Sequence, residues 1–306
     1  MKRRPVLQLT AAALGALALP VEAAPVVLGL NVGTELSLGR FNLRLLDLYQ
    51  AAGVSWLRVW YNWAVIEPVQ GRFQAEPIAQ ALRLAKDRGF KILFVIWGTP
   101  AHAGSGDLGA VPRPAALAAY CRYLQANFAS LVDAWEVGNE PNLSKYFAGS
   151  AAQYVETLQA AYTVLKGNLP VVAAGPSGMA GPAYWDALFA AGLEAGCDRV
   201  NLHPYRQKPE QVLALVDDFK SRAHKPLWIT ELGLSADGGE QAKADFLTRV
   251  LPALASRAEL TFWYRGIQGE GLHPLRFGLV EVERSSGKIT PLPAYYAYRT
   301  VAKATS

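Results

Sequence analysis

Eight short runs of almost unbroken apolar residues, separated by longer segments of helical periodicity, constrain this chain more than any single motif. They are VVLGLNV from Val26, SWLRVW from Ser55, KILFVIW from Lys91, LVDAWEVG from Leu131, PVVAAG from Pro170, RVNLHP from Arg199, PLWITEL from Pro226 and LTFWYR from Leu260. A strand with one face in water alternates apolar and polar residues. A run without that alternation is covered on both faces, as parallel strands between helices are. The intervening segments, such as AEPIAQALRLAKDRG closing on Gly89, and PEQVLALVDDFKSRA, carry apolar residues at helical spacing. Eight strand–helix units in 306 residues match a single (β/α)8 TIM barrel of the α/β class, a fold of roughly 250 residues. The competing architecture, an open doubly wound sheet, calls for a G-x-G-x-x-G phosphate loop after the first strand, and LGLNVGTELSLG supplies none.

Residues 1–24 stand outside this pattern. A basic start (Lys2, Arg3, Arg4) precedes an apolar stretch from about Val6 to Leu19 and a small-residue cleavage signal near VEA. That stretch is shorter than the roughly 20 residues needed to span a bilayer, so a secretory signal peptide is expected. Its Arg3-Arg4 pair loosely resembles a twin-arginine signal, and an uncleaved inner-membrane anchor is the alternative. The remainder, 25–306, reads as one domain without a membrane span, periplasmic or secreted and monomeric. Losing Lys2, Arg3, Arg4 and Glu22 with the leader lowers the formal charge from +5 to +3. The remaining basic residues form no stripe, which argues against nucleic acid as a partner. Cys121 lies in a helical segment and Cys197 before a later strand, so two buried free thiols are expected. Two cysteines and four histidines show no metal-ligand spacing, so neither metal nor cofactor is expected.

In such a barrel, chemistry gathers where strands end and the following loops begin. The fourth strand ends in GNEPN, with Asn139 and Glu140 at its tip, and the seventh ends in ITELG, with Glu231. These tips face each other across the mouth. Paired carboxylates in one cleft are what glycoside hydrolysis requires, one protonated as acid and one ionised as nucleophile. Arg58 on the second strand is placed to order Glu231, or else forms a buried ion pair. Asn139 is a candidate ligand for a sugar hydroxyl. His203 and Tyr205 in HPY, and His102 in GTPAHA, are further site candidates, with a satisfied core histidine as the alternative. Trp60, Tyr61, Trp63, Trp97, Trp263 and Tyr264 crowd the same rim, and Trp63 and Trp263 are taken as sugar platforms. Glu136 lies within its strand and reads as a buried paired group, and Glu67 as a loop-structuring one. His224 and His273 have no motif around them and default to the surface.

The order Arg58, Asn139-Glu140, His203-x-Tyr205, Glu231 and Trp263 on strands two, four, six, seven and eight resembles glycoside hydrolase clan A. Within it, the chain is most similar to family 39-like and cellulase-like bacterial endoglycosidases. LRVWYNWAVIEPVQGRF resembles the clan's second-strand pattern, and FGLVEVERSSGKITPLPAYYAYRTV its closing segment. The resemblance spans nearly all of 25–306, and the two glutamate motifs are its specific part. It implies a retaining glycosidase that cleaves β-glycosidic bonds of a poly- or oligosaccharide by double displacement. Glu140 would be the acid/base and Glu231 the nucleophile, with their carboxyl groups about 5–5.5 Å apart. Two departures stand out: relatives often carry Trp where His102 stands, and the usual KPAY reads LPAY at Leu292–Tyr295. A non-catalytic carbohydrate-binding barrel is the alternative from another class, and it would usually have lost one carboxylate. A transglycosylase would share every residue. Endo action on an open groove is expected, since no inserted domain walls off a pocket. The sugar itself is not read from the residues.

Overall fold

The structure, a computed structural model, describes residues 27–33, 43–167, 169–269, 275–283 and 285–304; the leader at 1–24 and His273 lie outside them. Eight parallel strands form one sheet: β1 (Leu28–Gly33), β2 (Trp56–Asn62), β3 (Lys91–Trp97), β4 (Ala134–Val137), β5 (Val171–Ala173), β6 (Val200–Asn201), β7 (Leu227–Leu232) and β8 (Leu260–Tyr264). Their order, β5-β4-β3-β2-β1-β8-β7-β6, wraps the sheet so that β5 and β6 meet. Bridges from Val172 to Arg199 and from Ser177 to His203 link those last two strands. The sheet is therefore a nearly closed barrel, as the sequence predicts.

Helices cover the outside: α1 (Leu43–Ala51), α2 (Trp63–Ile66), α3 (Glu76–Lys86), α4 (Pro114–Phe128), α5 (Ala151–Leu165), α6 (Gly181–Ala190), α7 (Pro209–Lys220), α8 (Glu240–Leu254) and α9 (Pro293–Ala304). Local chemistry starts several of them. Proline sits in the first turn of α3, α4, α6 and α7, where its missing N–H costs no helical bond. At α5, Ser150 and Gln153 cap each other's backbone N–H. One feature departs from the strand–helix alternation: β9 (Ile267–Gln268), β10 (Val280–Val282) and β11 (Ile289–Pro291) make a small separate sheet between β8 and α9. These segments are two or three residues long, too short to show a periodicity.

The strands have two apolar faces, and they form two separate cores. The larger lies between strands and helices. The smaller fills the barrel's lower interior with Trp56, Leu93, Ala134, Val172, Trp228, Leu260 and Phe262. Gly29 makes this plug possible, because a Cβ there would stand 2.3 Å from the Phe262 ring. Alternation then decides what lies higher up. Along β2, Trp56, Arg58 and Trp60 face inward, whereas Leu57, Val59 and Tyr61 face the helices. The same rule makes Phe262 and Tyr264 inward and Trp263 outward on β8. Cys121 and Cys197 are buried free thiols, in line with expectation. No helix among the described residues is long and apolar enough to cross a membrane.

Candidate active site

Directly above the apolar plug, the barrel interior turns polar. Arg58 and Glu136 are both fully buried and bond bidentately, Nε to Oε2 at 2.6 Å and Nη2 to Oε1 at 2.8 Å. Glu136 Oε1 also accepts from Asn201 Nδ2 at 3.1 Å and from the Thr230 hydroxyl at 3.0 Å. Glu136 is thus the buried paired group expected from its position inside β4. Burial works to lower the Arg58 pKa, but the charges of Glu136 and Glu231 outweigh it and hold the guanidinium above its ordinary value.

The other edge of that guanidinium points up into the mouth. Arg58 Nη1 donates to Glu231 Oε1 at 2.5 Å, and Nη2 donates to Asn139 Oδ1 at 2.9 Å. Glu231 also accepts from Tyr205 Oη at 2.9 Å and from Asn31 Nδ2 at 3.4 Å. Its side chain is 7% exposed. Strict alternation along β7 would send only one of Thr230 and Glu231 inward. The β7–β8 pairing shifts register between Ile229 and Leu232, and such an irregularity re-aims side chains. Both residues consequently bond to groups in the barrel interior.

Glu140 is held differently. It follows Gly138 (φ 90°) and is the only non-glycine among the described residues with positive φ, at 35°. A left-handed conformation at a side chain of this size costs about 1 kcal/mol or more. Its carboxylate, 12% exposed, lies 3.3 Å from His203 Nδ1, its nearest side-chain partner. Burial raises its pKa above the ordinary carboxyl value, against the opposing charges of Lys145 and Arg58. Burial lowers His203 to about 4, so the imidazole is neutral at physiological pH.

One oxygen of Glu140, one of Glu231 and His203 Nδ1 lie within 4.8 Å of one another. Among the described residues this is the one cluster of histidine and carboxylate ligands with metal-binding spacing. The Arg58 charge beside it and the donors already on Glu231 suit a proton-transfer pair better than a cation. Asn139 adds a directed donor: Arg58 occupies its oxygen, while the buried Nδ2 has no partner.

Aromatic side chains stand on both sides of the carboxylates. Trp60, Trp97 and Tyr146 pack edge to face, with centroids 5.7–6.0 Å apart. Burial first, then Glu231 and Glu140, push the Tyr146 hydroxyl up to about 12, so it lies within reach of both charges. Opposite, Tyr205, Tyr264 and Phe277 form a second cluster. Beyond it opens a cleft of about 440 Å³ lined by Tyr205, Arg206, Gln211, Asp237 and Phe277.

Two expected platforms and one further site candidate lie elsewhere. Trp263 is fully buried on the helix side of β8, donating to Phe277 O, and its neighbour Tyr264 turns inward instead. Trp63 opens α2, stacks on Tyr120 at 4.7 Å and donates to Glu67, all within the outer core. His102 packs edge-on to Trp63, and its Nε2 lies 3.0 Å from the Glu67 carbonyl. For Trp63 and Trp263 the cause is common: position near a strand end does not fix direction, and the period-2 alternation does. His102 lies in the loop between β3 and α4, outside any strand period. Glu67 is the loop brace expected, accepting from Trp63 and from Gly71 N. Four residues went unread: Asn31, Tyr146, Asn201 and Thr230. Asn31 and Thr230 each carried a usable signal, a polar residue inside a buried strand; Tyr146 carried none.

Residues 127–275 match the family model described as glycosyl hydrolase catalytic core. That segment includes Asn139, Glu140, His203, Tyr205 and Glu231. Among solved structures, a family 39 glycoside hydrolase from the gut symbiont Bacteroides cellulosilyticus WH2 is similar with a TM-score of 0.72 and 20% identity, over 92% of this chain and 64% of its own. A hyperthermophilic β-glucosidase from Pyrococcus furiosus gives 0.72 at 13% identity, over 92% and 96%. A GH5 subfamily 18 variant from Bifidobacterium longum, in complex with Manβ1-4GlcNAc, gives 0.74 at 12% identity, over 91% and 78%. At these identities the likeness is one of fold. No curated protein matches the sequence.

Proposed function

We propose that this chain, whose residues 127–275 match a glycosyl hydrolase catalytic core, is a clan A glycosidase that hydrolyses β-glycosidic bonds with retention of anomeric configuration. The observation that carries this reading is the closeness of the two carboxylates, with one oxygen of each inside the 4.8 Å cluster that also contains His203 Nδ1. An inverting enzyme needs a water between its carboxyls, roughly 6.5–9.5 Å apart. The nearest oxygens of Glu140 and Glu231 approach more closely than that spacing, which favours direct attack by Glu231 over an interposed water.

Glu140, raised by burial, holds the proton for the glycosidic oxygen. Glu231 Oε1 is pinned by Arg58 and Asn31 and Oε2 by Tyr205, which fixes the carboxylate for attack. Its attack breaks the C1–O bond and forms a glycosyl ester, while the leaving oxygen takes the Glu140 proton. Water deprotonated by the resulting Glu140 carboxylate then cleaves the ester and restores both residues. Asn139 Nδ2 is the donor for a ring hydroxyl near the anomeric centre, where a hydrogen bond that tightens in the transition state lowers the barrier. The aromatic clusters on either side suit the apolar faces of successive sugar rings in a poly- or oligosaccharide.

Glu231→Gly should abolish hydrolysis of an activated aryl β-glycoside, and azide should restore consumption by forming an α-glycosyl azide. Failure of azide to restore it, or a β-azide product, would sink the assignment of Glu231. A transglycosylase would use the same residues, and product analysis at high acceptor concentration separates it from a hydrolase.

A further inference from the structure

The candidate acid touches a histidine whose other ring nitrogen is bound into a buried network, and that network fixes where the imidazole proton resides. Thr230 Oγ1 has three polar neighbours besides its own chain: Asn201 Nδ2 at 2.7 Å, His203 Nε2 at 2.9 Å and Glu136 Oε1 at 3.0 Å. A hydroxyl has one proton to give and two lone pairs to accept with. Asn201 is oriented unambiguously, because its Oδ1 accepts the Thr230 backbone N–H at 3.1 Å, so its amide group donates to Thr230. Glu136, clamped by the Arg58 guanidinium, is a carboxylate and only accepts. The single Thr230 proton therefore goes to Glu136. Turning it toward His203 would leave two oxygens facing each other at 3.0 Å, in a buried site, with no proton between them.

That leaves one role for His203 Nε2, which is to donate to Thr230. We infer that Glu136, Thr230 and Asn201 hold His203 as its Nε2–H tautomer, presenting a bare Nδ1 lone pair to Glu140, so that Thr230 is a positioning residue for the acid/base. Gly175 keeps the ring in register: a Cβ there would stand 2.5 Å from Cδ2 and 2.7 Å from Nε2.

A bare Nδ1 beside Glu140 is satisfied only when Glu140 carries a proton, since Tyr205 already donates to the nearest Glu231 oxygen. In glycosylation, Glu140 gives that proton to the leaving oxygen and is left as a carboxylate facing a lone pair. This mismatch favours its taking a proton from the incoming water, which is the second step. The other groups facing Glu140 are Arg58 from β2, Lys145 and Tyr146 from its own loop, Tyr205 after β6 and Glu231 from β7. None of them supplies a neutral acceptor at this distance.

The inference rests on Glu140 being the acid, but its first readout does not depend on turnover. In full-length protein labelled with nitrogen-15 at its four histidines, the His203 ring should show the pattern of protonation at Nε2 between pH 5.5 and 8. A pattern of protonation at Nδ1 overturns the proposal whatever the enzyme acts on. The second readout is the pH profile of kcat/KM on a phenyl β-glycoside. Thr230→Val frees the imidazole to turn its proton toward Glu140, which stabilises the carboxylate. The alkaline limb should then move down by about one pH unit, the scale of one neutral hydrogen bond. Thr230→Ser keeps the hydroxyl and should leave the limb within a few tenths of a unit of the wild type. A Thr230→Val limb that stays put, or a Thr230→Ser limb that moves as far as Thr230→Val, overturns the proposal. If Glu231→Gly resists azide rescue, it is the retaining reading that fails instead.

Discussion

The tips of β4 and β7 present the same functional group in opposite settings. Glu231 sits on a strand, with Arg58, Tyr205 and Asn31 donating to it. Glu140 sits one residue past the buried Asn139, on left-handed backbone, with His203 as its nearest side-chain partner and burial raising its pKa. Three donors, one of them the Arg58 cation, surround one carboxyl, and desolvation beside a neutral imidazole raises the pKa of the other. The chain thus separates two chemically identical groups by their surroundings alone.

The largest expected effect breaks that pair apart. Glu231→Gln should lower kcat/KM by about 10⁵-fold or more on every substrate, because no nucleophile remains. Glu140→Gln should lower it by ~10²–10⁴ on a phenyl β-glycoside and far less on a dinitrophenyl one, which needs no proton to depart. A Brønsted plot against leaving-group pKa reads the difference. Equal slopes for wild type and Glu140→Gln would show that the two carboxyls are not divided as argued.

Arg58 is the part of the frame that the two tips share most unequally. Arg58→Met strands Glu136 and Glu231 as buried carboxylates without a cation, and should cost about 3–5 kcal/mol in urea unfolding. A loss under 1 kcal/mol would mean that the charged layer is far more hydrated than its burial indicates. Tyr205→Phe removes one hydrogen bond to a charged group and leaves the ring packed against Tyr264 and Phe277. It should lower kcat by about 10–100-fold with little change in stability. A rise in KM of the same size with kcat unchanged would instead place Tyr205 on the ground-state sugar.

The two tips also differ in how plainly the sequence announced them. GNEPN and ITELG end apolar runs, so the barrel rule located Glu140 and Glu231 without reference to any contact. The same rule named Arg58, Asn139, His203 and Tyr205, which the structure gathers around the carboxylates. It failed for Trp63 and Trp263 because nearness to a strand end says nothing about which face a side chain takes. Counting by twos from Trp56 and Phe262 would have chosen Trp60 and Tyr264. It could not have chosen both Thr230 and Glu231, since that depends on a register shift in β7 that no local sequence feature marks. Tyr146 was out of reach for another reason: it arrives on a loop, where no period exists to read. The sheet of β9, β10 and β11 was equally hidden, being built of segments too short for a pattern.

The smallest effect tests the comparison through stability, where the two tips should respond with opposite sign. Glu140 has a folded pKa above the ordinary carboxyl value that it recovers on unfolding. Below that ordinary value, the group is protonated in both states and contributes nothing. As pH rises past it, the unfolded chain ionises first, so the folded state loses stability until the pH exceeds the folded pKa, after which the loss is constant. Glutamine at 140 does not titrate and tolerates the same backbone. Glu140→Gln should therefore unfold like the wild type near pH 4 and be more stable than it at pH 8. Glu231→Gln should go the other way, losing about 1.5–3 kcal/mol at pH 8 because Arg58 keeps its charge and loses a counter-charge. Urea curves of both variants at the two pH values decide it. A Glu140→Gln protein no more stable than wild type at pH 8 would mean that the carboxyl is better solvated than its burial implies, and the contrast between the two tips would lose its electrostatic half.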